Sequence, residues 1–324
     1  MKCKKCDEKA SIHMRQHKLA LCKEHYLEWI PAQTLRFIEL YKMFTHQERI
    51  LVAVSGGKDS LALWDVLRRL GYQADGLYIG LGINTERSYS IESQRYCEAF
   101  ANQRGLNLIV YDVVEQQGTS IPMAAEHTRR GREKPCSVCG LTKRHVMNRI
   151  ALEQGYAVLA TGHNLDDEAA VLFGNTLQWQ VGYLQRQGPV LDDRPGFTRK
   201  VKPFCRIYER ESAAYALLRG IDYIYDECPY AEGAKSIYYK QFLNQLEGDR
   251  PGAKLSFYLA YLKAKGSMRF SSELEQPELL HACTNCEQPT SAPGQCAYCR
   301  TWSLVRERIG QLPASALRSR GESK

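Results

Sequence analysis

From residue 50 onward, short apolar runs alternate with amphipathic segments. The run Ile50-Leu51-Val52-Ala53-Val54 has the continuous apolar character of a strand buried on both faces. Beyond it Leu63, Val66, Leu67 and Leu70 fall on one helical face, and Gly71 stops the repeat. The same alternation predicts strands over 74–83, 106–114, 156–162 and 222–230. Helices are predicted over 27–44, 88–104, 141–154, 209–219 and 235–262. This order predicts an α/β fold: a Rossmann-like parallel sheet with helices on both faces. Ligands of such sheets bind beyond the carboxyl ends of the strands, so segments 55–60, 80–83 and 162–167 should border one crevice.

The break after Val54 reads Ser55-Gly56-Gly57-Lys58-Asp59-Ser60. Its glycines permit close backbone approach, and the N–H groups opening the next helix attract an anion, so the turn reads as a phosphate cradle. It is not the common mononucleotide loop, which needs four residues between its first Gly and Gly-Lys. A second stretch, Gly162-His163-Asn164-Leu165-Asp166-Asp167-Glu168, opens a helix directly after a strand, with Asn164 as its cap. Its three carboxylates complement the helix dipole.

A chain of 324 residues, 44% hydrophobic, can bury one sizeable core and a small module besides. No stretch approaches the roughly 20 apolar residues of a membrane helix. The start Met1-Lys2-Cys3-Lys4-Lys5-Cys6 is not a secretory signal, so a cytoplasmic protein with no membrane partner is expected. A net charge of +8 would help hold a polyanion. Between residues 174 and 203, Gln, Arg and Lys interleave with Trp179, Tyr183 and Phe197, a composition suited to splayed RNA.

Twelve cysteines in such a chain read as metal ligands or catalytic thiols rather than disulfides. Cys3-x2-Cys6 and Cys22-x2-His25 supply four zinc ligands, with His13 or His17 as alternatives to His25. Cys283-x2-Cys286 and Cys296-x2-Cys299 match a second zinc site of the ribbon type. The chain then divides into a zinc finger over 1–30, a catalytic domain over 31–270, and a zinc ribbon with a basic tail over 271–324. Of the five remaining thiols, Cys97 reads as packing and Cys205 is ambiguous. A loop carrying Cys136 and Cys139, and the end of the predicted strand carrying Cys228, should share the crevice rim. Three thiolates could hold a [4Fe-4S] cluster with one iron open, or Cys136 and Cys228 could form a persulfide pair without a cluster.

These motifs together resemble the PP-loop ATP pyrophosphatases, and among them the TtuA-type tRNA 2-thiouridine synthetases, from Cys3 to Cys299. The resemblance implies ATP and Mg²⁺ held at Ala53, Ser55, Gly56, Gly57, Lys58, Asp59, Ser60, Gly80, Ile83, Lys143 and Gly162. It implies a [4Fe-4S] cluster on Cys136, Cys139 and Cys228, two Zn²⁺, and catalytic roles for Asp167, Lys143, Cys136 and Cys228. The implied reaction adenylates O2 of a tRNA uridine and replaces it with sulfur, releasing AMP and pyrophosphate. The T-loop uridine is favoured over the wobble uridine, with a small carbonyl substrate as the alternative. Expected partners are tRNA, a second copy in a homodimer, and a sulfur donor, either a ubiquitin-like thiocarboxylate carrier or free sulfide.

Overall fold

The computed structural model describes residues 1–84, 88–191, 193–231, 233–267 and 280–311. The chain enters through an antiparallel hairpin, β1 (Ile12–Met14) and β2 (Leu19–Leu21), which leads through Cys22 into α1 (Lys23–Leu40). Then follow β3 (Ile50–Val54), α2 (Lys58–Arg69), β4 (Ala74–Gly80), α3 (Tyr89–Arg104) and β5 (Leu108–Asp112). Three short helices, α4 (Val113–Gln117), α5 (Ile121–Glu126) and α6 (Arg129–Glu133), lead to the long α7 (Pro135–Glu153). Next come β6 (Val158–Thr161), α8 (Leu165–Leu177), α9 (Val181–Arg186), β7 (Val190–Leu191) and β8 (Arg199–Val201). Three helices follow, α10 (Glu209–Arg219), α11 (Lys235–Asp249) and α12 (Ala253–Ser267). A hairpin, β9 (His281–Ala282) and β10 (Pro289–Thr290), and α13 (Ala297–Gly310) complete the described chain.

The central sheet has six strands in the order β5-β4-β3-β6-β8-β7, parallel except for the edge strand β7. Side chains alternate across it, as a period of two requires. Ile50, Val52 and Val54 enter a core with Trp64, Phe100 and Tyr215, and Leu51 enters a second core with Val146, Tyr298 and Trp302. The first core also takes Met14, Leu21 and Tyr26 of the N-terminal segment, and α1 runs unbroken across residue 30. No helix among the described residues is long and apolar enough to cross a membrane.

Three expectations need correction. Residues 222–228 form no strand; this segment lies across the turn after β3, where Ile224 N–H donates to Gly56 O at 2.9 Å. Tyr223, Ile224 and Tyr225 look strand-like because of their apolar bulk, but the place beside β6 is filled by β8, whose Arg-Lys-Val sequence carries little strand signal. Cys136 and Cys139 lie not on a loop but in the first turns of α7, since Pro135 starts the helix with its fixed φ. The region 235–262 is two helices, broken at Arg250-Pro251-Gly252, where the Glu247 carboxylate accepts from Gly252 N–H (2.6 Å) and Lys254 N–H (2.9 Å). The segment 174–203 carries α9, β7 and β8.

Candidate active site

Strands β3 and β6 are neighbours whose onward connections run in opposite directions, so their carboxyl ends form the switch point of the sheet. Two glycines allow the close approach there. Gly56 has φ +76°, and a Cβ on it would lie 2.5 Å from the Ser93 carbonyl oxygen of α3. A Cβ on Gly162 would lie 2.9 Å from the Ser60 backbone, where α2 begins. The resulting crevice of about 380 Å³ is lined by Ala53, Ser55, Gly57, Asp59, Ser60, Lys143, Gly162 and Asp167, together with Tyr78 and Tyr89. Gly56, Gly80 and Ile83 lie outside this lining; Ile83 is buried and its N–H donates to Ser90 Oγ at 2.9 Å. Lys58 turns toward an adjoining cavity behind the loop.

The three carboxylates of the Asp-Asp-Glu run have separate fates. Asp166 is buried, pairs with Lys254 of α12 and accepts from Glu209 N–H at 2.8 Å. Glu168 is buried against Lys202 at 2.7 Å. Asp167 alone borders the crevice, fixed by a reciprocal capping box in which Asn164 Oδ1 accepts from Asp167 N–H and Asp167 Oδ2 accepts from Asn164 N–H, both at 3.1 Å. The Lys254→Met substitution, which strands Asp166 as a buried unpaired charge, is expected to cost about 3–5 kcal/mol. The melting temperature should fall by on the order of 10 °C in a thermal scan.

Asp167 belongs to a chain of charges around the loop. Its Oδ1 takes Lys240 Nζ at 2.6 Å, and the same ammonium reaches Glu209 at 3.1 Å. Glu209 also takes Lys58 Nζ at 2.8 Å, and Lys58 meets Asp59 at 3.1 Å. Asp59 accepts from Asn164 Nδ2 at 3.2 Å and from the Ser212 hydroxyl. Burial raises the Asp59 carboxyl above its usual range despite Lys58. Burial opposes the charge on Lys58, but Asp59 and Glu209 outweigh it and hold the ammonium above its usual range. Both lysines are thus held charged within reach of the phosphate cradle. Glu209, Ser212 and Lys240 were not singled out from the sequence; a glutamate opening a helix reads there only as a dipole complement.

The thiols sit on the other flank of the crevice. Cys136 is exposed, with Sγ donating to Tyr230 O at 3.3 Å; Cys139 and Cys228 are half-buried. Burial raises the Cys139 thiol, and Lys143, one turn along α7, works in the opposite sense. Tyr89, which lines the crevice, is pushed up to about 12, first by burial and then by the proximity of Cys228, Cys139 and Glu227. Cys139 and Cys228 therefore lie near Tyr89 at the crevice, but none of the three thiols is among its lining residues. They are not among the groups of described ligand atoms that lie within 4.8 Å of one another, as the ligands of one small ion must. A four-iron cluster carries each cysteine on its own iron and so accepts a wider set, and the start of α7 favours its thiolates. Cys97 and Cys205 are fully buried; burial pushes the Cys97 thiol up to about 12, partly offset by a hydrogen bond from the Gly56 backbone.

Both terminal ligand sets do converge: Cys3, Cys6, Cys22 and His25 in one, Cys283, Cys286, Cys296 and Cys299 in the other. Cys6 and Cys22 lie 3.7 Å apart, Cys3 and His25 Nδ1 3.6 Å, and Cys286 and Cys296 3.8 Å. Tetrahedral ligands about 2.3 Å from a zinc ion would be about 3.8 Å apart. His17 is otherwise engaged, with Nε2 2.9 Å from Glu211, so His25 completes the first set. In the second, burial opposes ionisation of Cys283, but N–H groups of Cys296, Asn285 and Cys286 bring it down to about 6. Burial and the neighbouring thiols raise Cys286, a conflict that a bound cation resolves.

Residues 2–27 match the family described as the N-terminal LIM domain of 2-thiouridine synthetase TtuA, and residues 31–232 match the PP-loop domain. The chain is 51% identical to a tRNA-5-methyluridine(54) 2-sulfurtransferase of Thermus thermophilus, over 95% of this chain and 93% of the relative. Its identity to the protein of the same name from Pyrococcus horikoshii is 43%, over 95% of each chain. The chain belongs to the TtuA family of PP-loop proteins. The same fold is seen in the U34-tRNA thiolase NcsA from Methanococcus maripaludis, solved with its [4Fe-4S] cluster, with a TM-score of 0.72 and 23% identity. That match covers 85% of this chain and 91% of the thiolase.

In this TtuA-family chain each terminal segment supports a helix of the site. Trp302 Nε1 donates to Thr142 Oγ1 at 3.2 Å and Tyr298 stacks on His145 at 3.7 Å, both on α7, which presents Cys136, Cys139 and Lys143. At the other end Tyr26 donates to the Glu211 carbonyl at 2.8 Å and Gln16 to its carboxylate at 2.7 Å, tying the N-terminal segment to α10, which carries Glu209 and Ser212.

Proposed function

We propose that this protein is an ATP-dependent tRNA 2-sulfurtransferase that replaces O2 of the T-loop uridine at position 54 with sulfur, releasing AMP and pyrophosphate. The observation that carries this reading is the convergence on one crevice of the phosphate cradle, Lys143 and Asp167, with Cys139 and Cys228 near its Tyr89, in a chain 40–51% identical to three sulfurtransferases of that name. The turn at Ser55–Ser60 would hold the ATP phosphates while O2 attacks the α-phosphorus and pyrophosphate departs with the P–O electron pair. Lys58 and Lys240 would neutralise the charge that builds there. Asp167, once phosphates compete for Lys240, would hold Mg²⁺ or accept the uridine N3 proton, with Asp59 as a second magnesium ligand. A sulfur nucleophile arriving from the thiol flank would attack C2, and AMP would leave with the C2–O pair, stabilised by Lys143. A [4Fe-4S] cluster on Cys136, Cys139 and Cys228 would supply an iron free of protein ligands on which sulfide can ride.

The reading extends to zinc at both terminal sets, to a finger, catalytic core and ribbon over 1–30, 31–270 and 271–324, and to a cytoplasmic homodimer. The last boundary and the tail beyond residue 311 lie outside the described residues. The sulfur donor would be a thiocarboxylate carrier or free sulfide. The test is mass spectrometry of tRNA nucleosides from cells with and without the gene, with the thiolated position mapped. Loss of 2-thio modification at position 54 is expected; loss at position 34 alone, or at no position, overturns the reading. Purified Asp167→Asn should bind ATP yet thiolate about 10²–10⁴ times more slowly.

A further inference from the structure

Helix α11 is lightly anchored for its length. Of its 15 residues only Leu243 is buried. Leu243 packs with Ala169 and Ala170 of α8, and with Phe173 and Tyr239, in a small cluster separate from both main cores. Tyr238, Phe242 and Leu246, one helical turn apart, are left exposed. The next helix is a contrast: Tyr258 of α12 is fully buried in the first core, with Leu255, Phe257 and Leu262 packed against it. Glycines in the left-handed region flank α11, Gly233 at φ +73° and Gly252 at φ +97°, and a Cβ on either would meet nothing within 4 Å. A helix with few buried contacts between two such turns can swing as a unit at little cost.

The polar contacts of α11 are unevenly placed. Near its C-terminal end Glu247 accepts from Gly252 N–H and Lys254 N–H, and Asn244 Oδ1 accepts from Lys254 Nζ at 2.6 Å. In its first half, among the described residues, the polar side-chain contacts are those of Lys240 alone: Asp167 at 2.6 Å and Glu209 at 3.1 Å. Burial opposes the charge on Lys240, but the two carboxylates outweigh it and hold the ammonium above its usual range. The free end of the helix is therefore pinned by one lysine, to the one carboxylate of the Asp-Asp-Glu run that borders the crevice.

We propose that α11 is a lid on the nucleotide site, latched by Lys240. Without nucleotide the latch holds Asp167; with ATP bound the same ammonium turns to the polyphosphate, and the lid is released when pyrophosphate leaves. The inference rests on the function proposed above in taking ATP as the ligand of the crevice, and adds what admits and retains it. A polyphosphate carries more negative charge than a single carboxylate, so the exchange of partners is favourable, and it frees Asp167 for the cation that accompanies the nucleotide. AMP keeps only the phosphate next to the ribose and offers Lys240 no such group. Substrate and product thus differ in their contacts with the closed lid, the difference a ligand needs in order to shift a conformational equilibrium.

The test is amide hydrogen exchange read by mass spectrometry on the full-length protein, without nucleotide, with AMP, and with Mg²⁺ and a methylene-bridged ATP analogue that cannot release pyrophosphate. Amides of residues 236–243 should exchange faster than those of α12 in the unliganded protein, slow about fivefold or more with the analogue, and stay unchanged with AMP. Lys240→Met should speed their exchange about fivefold without nucleotide, the scale of one well-placed ion pair, and remove the slowing by the analogue. Lys240→Arg should restore both, and unchanged exchange in α12 reports that the fold is kept. Exchange over 236–243 that is the same in all three states of the unaltered protein, with the analogue bound, overturns the lid and leaves the proposed function standing. Equal slowing by AMP, or equal slowing in Lys240→Met, overturns Lys240 as the latch. Failure of the unaltered protein to bind the analogue overturns both readings.

Discussion

Cys139→Ser protein is expected to lose tRNA thiolation by about 10³-fold or more, the scale on which an essential reacting group registers, while still binding ATP. The residue sits one turn before Lys143 on α7, beside Tyr89 and in the electrostatic reach of Cys136 and Cys228, but not in the phosphate turn. Serine occupies nearly the same volume, so the packing of α7 and the C-terminal module should survive. What it cannot do is bind iron as a thiolate or carry sulfur. The measurement is thiolated nucleoside formed and ATP bound by the same sample. Cys205→Ser is the control: its thiol is fully buried and raised by burial, so it should alter thermal stability and leave thiolation near its normal rate. Equal activities for the two variants would refute the assignment of the thiol flank.

Removing the N-terminal metal set should be the most costly change for the fold. Cys22→Ser, or extraction of metal with a strong chelator, is expected to lower the melting temperature by on the order of 10 °C or more, because structural zinc binding in small modules is itself folding free energy of about 10–16 kcal/mol. The hairpin here is only three residues per strand, and its Met14 and Leu21 lie in the same core as Trp64 and Tyr215. Loosening it also releases Gln16, His17 and Tyr26 from Glu211, the residue whose carboxylate caps α10 at Tyr208 N–H (2.9 Å). Since α10 presents Glu209 and Ser212 to the loop, ATP affinity should fall in parallel with stability. Thermal scans and ATP titration before and after chelation, with metal content measured throughout, check both. A variant that loses the metal yet keeps its melting temperature and ATP affinity would show that the set is dispensable for the fold.

Much of this molecule is local, and local features were legible. A Ser-Gly-Gly-Lys-Asp-Ser turn between an apolar run and an amphipathic one specifies strand, cradle and helix from adjacent residues, because backbone freedom and capping act over a few positions. Cysteine pairs two residues apart likewise fix where a tetrahedral site can close. The strands up to β6 followed from alternation, but their order in the sheet did not.

What the sequence by itself determined, then, is the set of parts: an α/β sheet, a phosphate turn, two terminal ligand sets and three unassigned thiols. Their arrangement depended on partners distant along the chain. Asp166, Asp167 and Glu168 are equivalent in sequence, and only the arrival of Lys254 from α12 and Lys202 after β8 withdraws two of them into ion pairs and leaves Asp167 at the crevice. Cys228 reaches the rim not at the end of a strand but on a segment held by Ile224 against Gly56, a bond that no spacing rule encodes. Lys240 and Glu209 became part of the site only because α10 and α11 pack over the loop. Spacing sets backbone conformation over a few residues, whereas the charge a carboxylate meets is set by whichever helix the fold lays over it.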